Sequence, residues 1–60
     1  MRKIKKVLND KKMGNIELAE LTGRSERQVR RIVNGYSEGS VVWWRKAAKV
    51  LGVNMSDIIE

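Results

Sequence analysis

Apolar residues recur at intervals of three and four along the chain, and glycines separate the segments in which they recur. In residues 2–13 this spacing predicts a helix with one buried face. Residues 15–22 form a second predicted helix, which ends at Gly23, a residue suited to the left-handed conformation that closes many helices. The side chains of these two helices that we expect in the core are Ile4, Val7, Leu8, Ile16 (or Met13), Leu18, Ala19 and Leu21.

Serines mark the starts of the next two predicted helices. Ser25, with Gln28 three residues later, fits a capping box, in which each side chain bonds the other residue's backbone N–H. This third helix ends at Asn34 and the glycine after it. Ser40 caps a fourth helix that runs to Gly52. The expected core residues of the two helices are Val29, Ile32, Val33, Val41, Trp44, Ala48 and Leu51.

The last segment also reads as helical. Residues 55–60 follow Asn54, which is a good N-cap residue, and form a short fifth predicted helix. No segment alternates apolar and polar residues with period two, and the chain contains no proline. We therefore predict an all-α fold, a compact bundle of about five short helices, as a single domain over residues 1–60.

The chain is strongly basic. Lysine and arginine number 13 against 7 acidic residues, which gives a net charge of +6 and a pI near 10.2. Such an excess favours a polyanionic partner, most often a nucleic acid, although a protein can also be basic without binding one.

Several function classes lack the residues that they require. With neither cysteine nor histidine, the chain offers no disulfide and lacks the usual zinc ligands. It has no apolar run near the roughly 20 residues that span a bilayer, and no signal peptide. It also has no glycine-rich phosphate loop and no acidic cluster for a metal. We expect a cytoplasmic protein that is not an enzyme and that binds no metal, cofactor, small molecule or membrane.

The third predicted helix presents arginines opposite its apolar stripe. At about 100° per residue, Arg27, Arg31 and Asn34 lie on the side away from the buried residues, with Arg30 beside them. The like charges of Arg27 and Arg31, four residues apart, cost an isolated helix roughly a few tenths of a kcal/mol. A helix selected only for solubility would more often alternate its charges. The arginine fork matches guanine O6 and N7, so this face suits the major groove of DNA.

The junction between the second and third helices has a recognisable pattern. Only residues 22–24 separate the second predicted helix from the Ser25 cap. The result is a helix, a tight turn and a second helix. On this junction and on the closing stretch "AKVLGVNMSDIIE", the chain resembles the Cro-like or Xre helix-turn-helix family of phage repressors. Asn15 stands where the family has glutamine, and Arg24 where it has an aliphatic residue. The matching residues are Ala19, Gly23, Ser25, Val29, Ile32, Asn34, Gly35, Ala48, Leu51, Gly52 and Val53.

The resemblance implies a lambda-repressor-like bundle in which helices 2 and 3 form the helix-turn-helix. The helix over residues 25–34 would enter the major groove, with its N-terminal part facing the bases. We expect base contacts from Glu26, Arg27 and Arg31. Glu26 either accepts from cytosine N4, or repels phosphate and fixes the register, or only pairs with Arg30. The expected phosphate contacts are Asn15, Arg24, Ser25, Arg30 and Asn34.

Two sets of residues keep alternative roles. For Arg2, Lys3, Lys5 and Lys6, a solvated helix face and a direct DNA contact are both open.

Trp43 lies beside the predicted core stripe and could pack under the loop before it, line a subunit interface or bond a phosphate. Ile58 and Ile59 are adjacent, so one helix face cannot bury both. The residues of a possible dimer interface are Trp43, Ile58 and Ile59.

These observations favour a sequence-specific DNA-binding transcriptional regulator, a small repressor of phage or prophage type. Because members of the resembled family often bind as dimers, we expect a homodimer on an inverted-repeat operator. One alternative is a protein-interaction module, such as an antitoxin or an adaptor. Another is RNA binding, for which a single tyrosine and no phenylalanine leave little stacking surface.

Overall fold

In the computed structural model, which describes residues 2–59, the chain forms four α-helices and one short 3-10 helix. The all-α expectation is confirmed, since these residues contain no strand. The fifth segment, however, is a single 3-10 turn and not an α-helix. The elements are α1 (Lys3–Asp10), α2 (Asn15–Thr22), α3 (Glu26–Val33), α4 (Val41–Leu51) and the 3-10 helix Met55–Asp57.

The helix ends follow from local chemistry. Gly23 closes α2 with φ of 74°, and the N–H of Arg24 donates to the carbonyl of Ala19 at 3.0 Å. After α1, Lys12 takes the same left-handed conformation, with φ of 55°. The N–H of Met13 then donates to the carbonyl of Leu8 at 2.9 Å. The helix predicted over residues 2–13 therefore ends earlier, at Asp10, because a lysine here takes the left-handed conformation that glycine usually supplies.

One cluster of buried side chains joins all the elements. The two tryptophans of α4 are at its centre: their rings meet edge to face, with centroids 5.0 Å apart. α2 packs against both α3 and α4. The buried apolar residues are Ile4, Leu8, Leu18, Ala19, Val29, Ile32, Val33, Trp43, Trp44, Ala47, Ala48, Leu51 and Ile58.

Two predicted core positions, Val41 and Leu21, are wrong, and of the alternatives Ile16 and Met13 it is Met13 that packs against the core. Val41 is 61% exposed, because α4 turns Trp43 and Ala47 inward, so that the buried arc is rotated away from Val41 while the rest of the predicted stripe stays buried. On α2, Ile16 and Leu21 are 61% and 53% exposed. There Met13, the alternative to Ile16, packs against the core instead.

Two of the residues expected at a dimer interface are in the core. Trp43 is 1% exposed and Ile58 is 0% exposed, so neither offers surface to a partner of the folded protein. This corrects the expectation for both residues, and packing is the role that remains for Trp43. Ile59 is half-buried against the core.

Thr22 is a buried polar residue that the apolar pattern did not reveal. It is 3% exposed at the end of α2. Its hydroxyl donates to the carbonyl of Leu18 at 2.7 Å and accepts from Nε1 of Trp43 at 3.1 Å. This hydrogen bond ties the end of α2 to α4 and satisfies an indole N–H that would otherwise be buried without a partner.

We expect Thr22→Val to lower the free energy of unfolding by about 1–3 kcal/mol, because valine keeps the shape of the side chain but leaves the indole N–H of Trp43 unpaired. Thr22→Ser is the matched control: it keeps the hydroxyl and loses one methyl, worth about 0.8 kcal/mol. Urea denaturation of the three proteins measures both effects. Equal losses in the two variants would show that the hydrogen bond contributes nothing.

We expect Lys12→Gly to raise the free energy of unfolding by about 0.5–1 kcal/mol. A non-glycine residue in the left-handed region costs about 1–2 kcal/mol, of which the added chain freedom of glycine cancels part. Lys11→Gly removes the same charge one residue earlier, where φ is −90°, and should destabilise the protein. Thermal denaturation of both variants tests whether Lys12 is strained. A shift of the midpoint in the same direction for both variants would show that it is not.

Candidate nucleic-acid interface

The turn between α2 and α3 is held by a complete capping box. The N–H of Gln28 donates to the Ser25 hydroxyl at 3.2 Å, and the N–H of Ser25 donates to Oε1 of Gln28 at 3.3 Å. These bonds fix where α3 begins, with only three residues between the end of α2 and its start. The left-handed Gly23 and the packing of α2 against α3 then set the direction of this end relative to α2.

The outer face of α3 is basic and open to solvent. Val29, Ile32 and Val33 are buried, which leaves the arginines on the opposite side. Arg27 and Arg31 are exposed and form no ion pair with any residue in the range 2–59. This is the arrangement that the periodicity predicts, and it leaves two cations free for an external anion or base edge.

Glu26 and Arg30 pair with each other on the flank of this face. The carboxylate and guanidinium are 3.8 Å apart, with 42% and 55% of their side chains exposed. An exposed pair of this kind contributes about 0–1 kcal/mol. Either residue can therefore exchange its partner for a DNA group at little cost.

A shallow cleft lies on the other flank, between α3, the turn before it and the loop that leads to α4. Two cations line it, and no carboxylate does. At the edge of the cleft, the Ser40 hydroxyl accepts a hydrogen bond from the backbone N–H of Trp43 at 3.1 Å and so caps α4. The hydrophobic pattern does not predict this contribution of the loop, for which the Ser40 cap is the one local signal. The lining residues are Arg24, Gln28, Arg31, Ile32, Ser37, Gly39, Ser40 and Trp43.

Arg2 holds the loop that forms one wall of the cleft. Its guanidinium lies 5.3 Å from the ring centroid of Trp44 and donates to the Ser37 carbonyl at 3.3 Å. It is also 3.8 Å from the exposed carboxylate of Glu38. Its side chain is only 15% exposed, so Arg2 is not part of a solvated face.

The loop also depends on a close approach to Trp44. The indole N–H of Trp44 donates to the Glu38 carbonyl at 2.9 Å. Gly39, with φ of 74°, comes so near that an added Cβ would lie 3.1 Å from the same indole nitrogen. The loop is therefore shaped by a tryptophan whose ring is part of the core.

The two expected asparagine contacts sit at helix ends. Asn15 is the first residue of α2 and is half-buried. Asn34 caps α3, and its Oδ1 accepts from Nζ of Lys5 at 3.2 Å. Lys5, like Arg2, thus contacts the protein itself, whereas Lys6 is exposed.

Two other kinds of site are not found in residues 2–59. No group of acidic residues there could hold a metal ion. None of the helices in this range has the length and apolar character needed to cross a membrane.

A family model described as the Cro/C1-type HTH DNA-binding domain matches residues 3–60. The match includes all four α-helices and the 3-10 helix. Searches of the curated proteins and of the solved structures gave no significant match. The family expected from the sequence is confirmed, and the chain belongs to the Cro/C1-type helix-turn-helix DNA-binding domains.

Proposed function

We propose that this protein is a sequence-specific transcriptional regulator whose α2 and α3 form the helix-turn-helix and whose α3 enters the major groove of DNA. The observation that carries the proposal is the pair Arg27 and Arg31, exposed on α3 without an ion pair in residues 2–59. With its side chains an α-helix is about 10–12 Å across, so α3 fits the roughly 12 Å width of the groove.

The base contacts come from the outer face of α3. Arg27 and Arg31 each present a planar fork to guanine, and a good bidentate pair gives about 1–3 kcal/mol of discrimination. Glu26 is at the leading end of the helix, where its carboxylate can accept from cytosine N4 once it leaves Arg30. The weak Glu26–Arg30 ion pair supports this exchange, since little stability is lost when it breaks.

The phosphate contacts flank α3 on both sides. Arg24 and Ser25 lie in the turn at the mouth of the cleft, and Arg30 is on the opposite flank. The Ser25 hydroxyl accepts within the capping box and so still has its proton to donate. Asn15 and Asn34 add amide donors at the ends of α2 and α3. Such contacts fix the register of the protein on the duplex, while the bases carry the sequence information.

We further propose that the protein acts as a small repressor of phage or prophage type, in the cytoplasm, as a homodimer on an inverted repeat. Two copies would place their α3 helices about one DNA turn apart. Of the residues expected at the interface, Ile59 keeps that role. Occupation of the operator by the dimer would exclude the transcription machinery without any ligand or catalytic step.

A protein-interaction role is the second candidate, and one observation favours it. Val41 and Val42 are 61% and 63% exposed at the start of α4 and so form an apolar surface patch. Tyr36, 76% exposed, precedes them in the loop. Selection of DNA fragments from a random pool separates the two roles: recovery of a motif supports the regulator, and recovery of none favours the interaction module.

We expect Arg30→Ala and Arg31→Ala to weaken DNA binding in different ways. Loss of a phosphate contact at Arg30 should flatten the slope of log Kobs against log salt by about 0.9 and leave sequence preference unchanged. Loss of a base contact at Arg31 should relax preference at one base pair, by about 1–3 kcal/mol. Salt titrations on the selected site and on single-base variants of it measure both.

Lys46→Ala is the matched control for these variants. It removes one exposed positive charge from α4, at a position that does not line the cleft. The salt slope should stay near that of the unmodified protein. The division of roles is refuted if Arg30→Ala and Arg31→Ala have the same effect on slope and preference.

A further inference from the structure

A hydrogen bond connects α1 to the end of the proposed recognition helix. Nζ of Lys5 donates to Oδ1 of Asn34 at 3.2 Å, between residues 29 positions apart. Both residues are half-buried. The Nδ2 group of Asn34 has no hydrogen-bond partner within residues 2–59.

The chemistry of the two groups makes this bond directional. A lysine ammonium only donates, so it can pair with the amide oxygen of asparagine and not with the amide nitrogen. A phosphate oxygen only accepts, so it can bond the amide nitrogen and not the amide oxygen. If the Asn34 amide turned over, its NH2 would face the ammonium and its oxygen would face the phosphate.

We propose that Lys5 is a positioning residue that fixes the polarity of the Asn34 amide, so that Nδ2 is held ready to donate to the DNA backbone. The inference rests on the proposed function and adds a residue to it. Lys5 contributes to DNA binding through Asn34 and not through a phosphate contact of its own. Preorganising a donor removes the ordering cost that it would otherwise incur on binding.

The position of Asn34 on α3 supports this assignment. It is four residues after Arg30 and three after Arg31, so it follows them on the outer side of the helix. Asn34 is the C-cap residue of α3, and the backbone there makes the cap bonds, so its side chain stays available for Lys5. At about 100° per residue, this position lies on the side of α3 away from its buried stripe, as the positions of the arginines do.

A double-mutant cycle on DNA binding tests the proposal. Lys5→Met keeps the length of the side chain and removes the donor, and Asn34→Ala removes the amide. We expect Lys5→Met to weaken binding to the selected site about three- to tenfold, within the range of one hydrogen bond. In the Asn34→Ala background the same change should have no effect beyond that of the control below. The salt slope of the Lys5→Met variant should be nearly that of the unmodified protein.

Lys6→Met supplies the control, because it removes an exposed charge from the neighbouring position of α1. Its effect should be small and equal in both backgrounds. Circular dichroism and thermal denaturation exclude unfolded variants. In the free protein, the NMR order parameter of the Asn34 side-chain amide should fall on Lys5→Met and not on Lys6→Met.

The outcomes separate the two proposals. If Lys5→Met weakens binding equally in both backgrounds and flattens the salt slope by about 0.9, Lys5 contacts phosphate directly and the inference is overturned. If the unmodified protein selects no DNA sequence, the proposed function fails and the inference fails with it. An amide order parameter unchanged by Lys5→Met overturns the inference even when DNA binding is confirmed.

Discussion

No helix in residues 2–59 is longer than 11 residues, and helices of this length are marginal in water on their own. The helices of this protein therefore exist because they pack together. For α3 this dependence has a direct consequence. Its three buried aliphatic side chains hold a helix in which Arg27 and Arg31, like charges four residues apart, oppose each other slightly.

The two tryptophans of α4 position surface segments as well as filling the core. Trp43 and Trp44 are neighbours on α4, yet their indole nitrogens point to different partners. One is bonded to Thr22 at the end of α2, and the other to the Glu38 carbonyl in the loop beside α3. The tryptophan pair thus positions both segments that flank α3, and Arg2, the residue before α1, lies over the ring of Trp44.

Local patterns in the sequence were enough to predict the parts of the fold that local forces decide. The capping box at Ser25, the left-handed Gly23 and the bounds of α2 are all set by residues within four positions of one another. The rotation of α4 was not predictable in this way. Trp43 and Val41 are both apolar, and only the shape of the assembled core decides which of them is buried.

The candidate site shows the same division. The basic outer face of α3 follows from periodicity alone, and the structure presents it as expected. The structure also shows that Arg2, Lys3 and Lys5, expected to be solvated or on DNA, contact the protein itself. Arg2 reaches a residue 35 positions away and Lys5 a residue 29 positions away, and no short-range signal reports such pairings. Thr22 was missed for the same reason, since its partner is 21 positions distant.

The two indole hydrogen bonds also give the protein a pair of internal reporters. The chain has only these two tryptophans, so its indole region in a proton spectrum contains two signals. The Trp43 signal can exchange with solvent only when the contact between α2 and α4 opens. The Trp44 signal needs only the release of the loop at Glu38. Comparison of the two exchange rates therefore distinguishes local opening of the loop from opening of the core, without any added label.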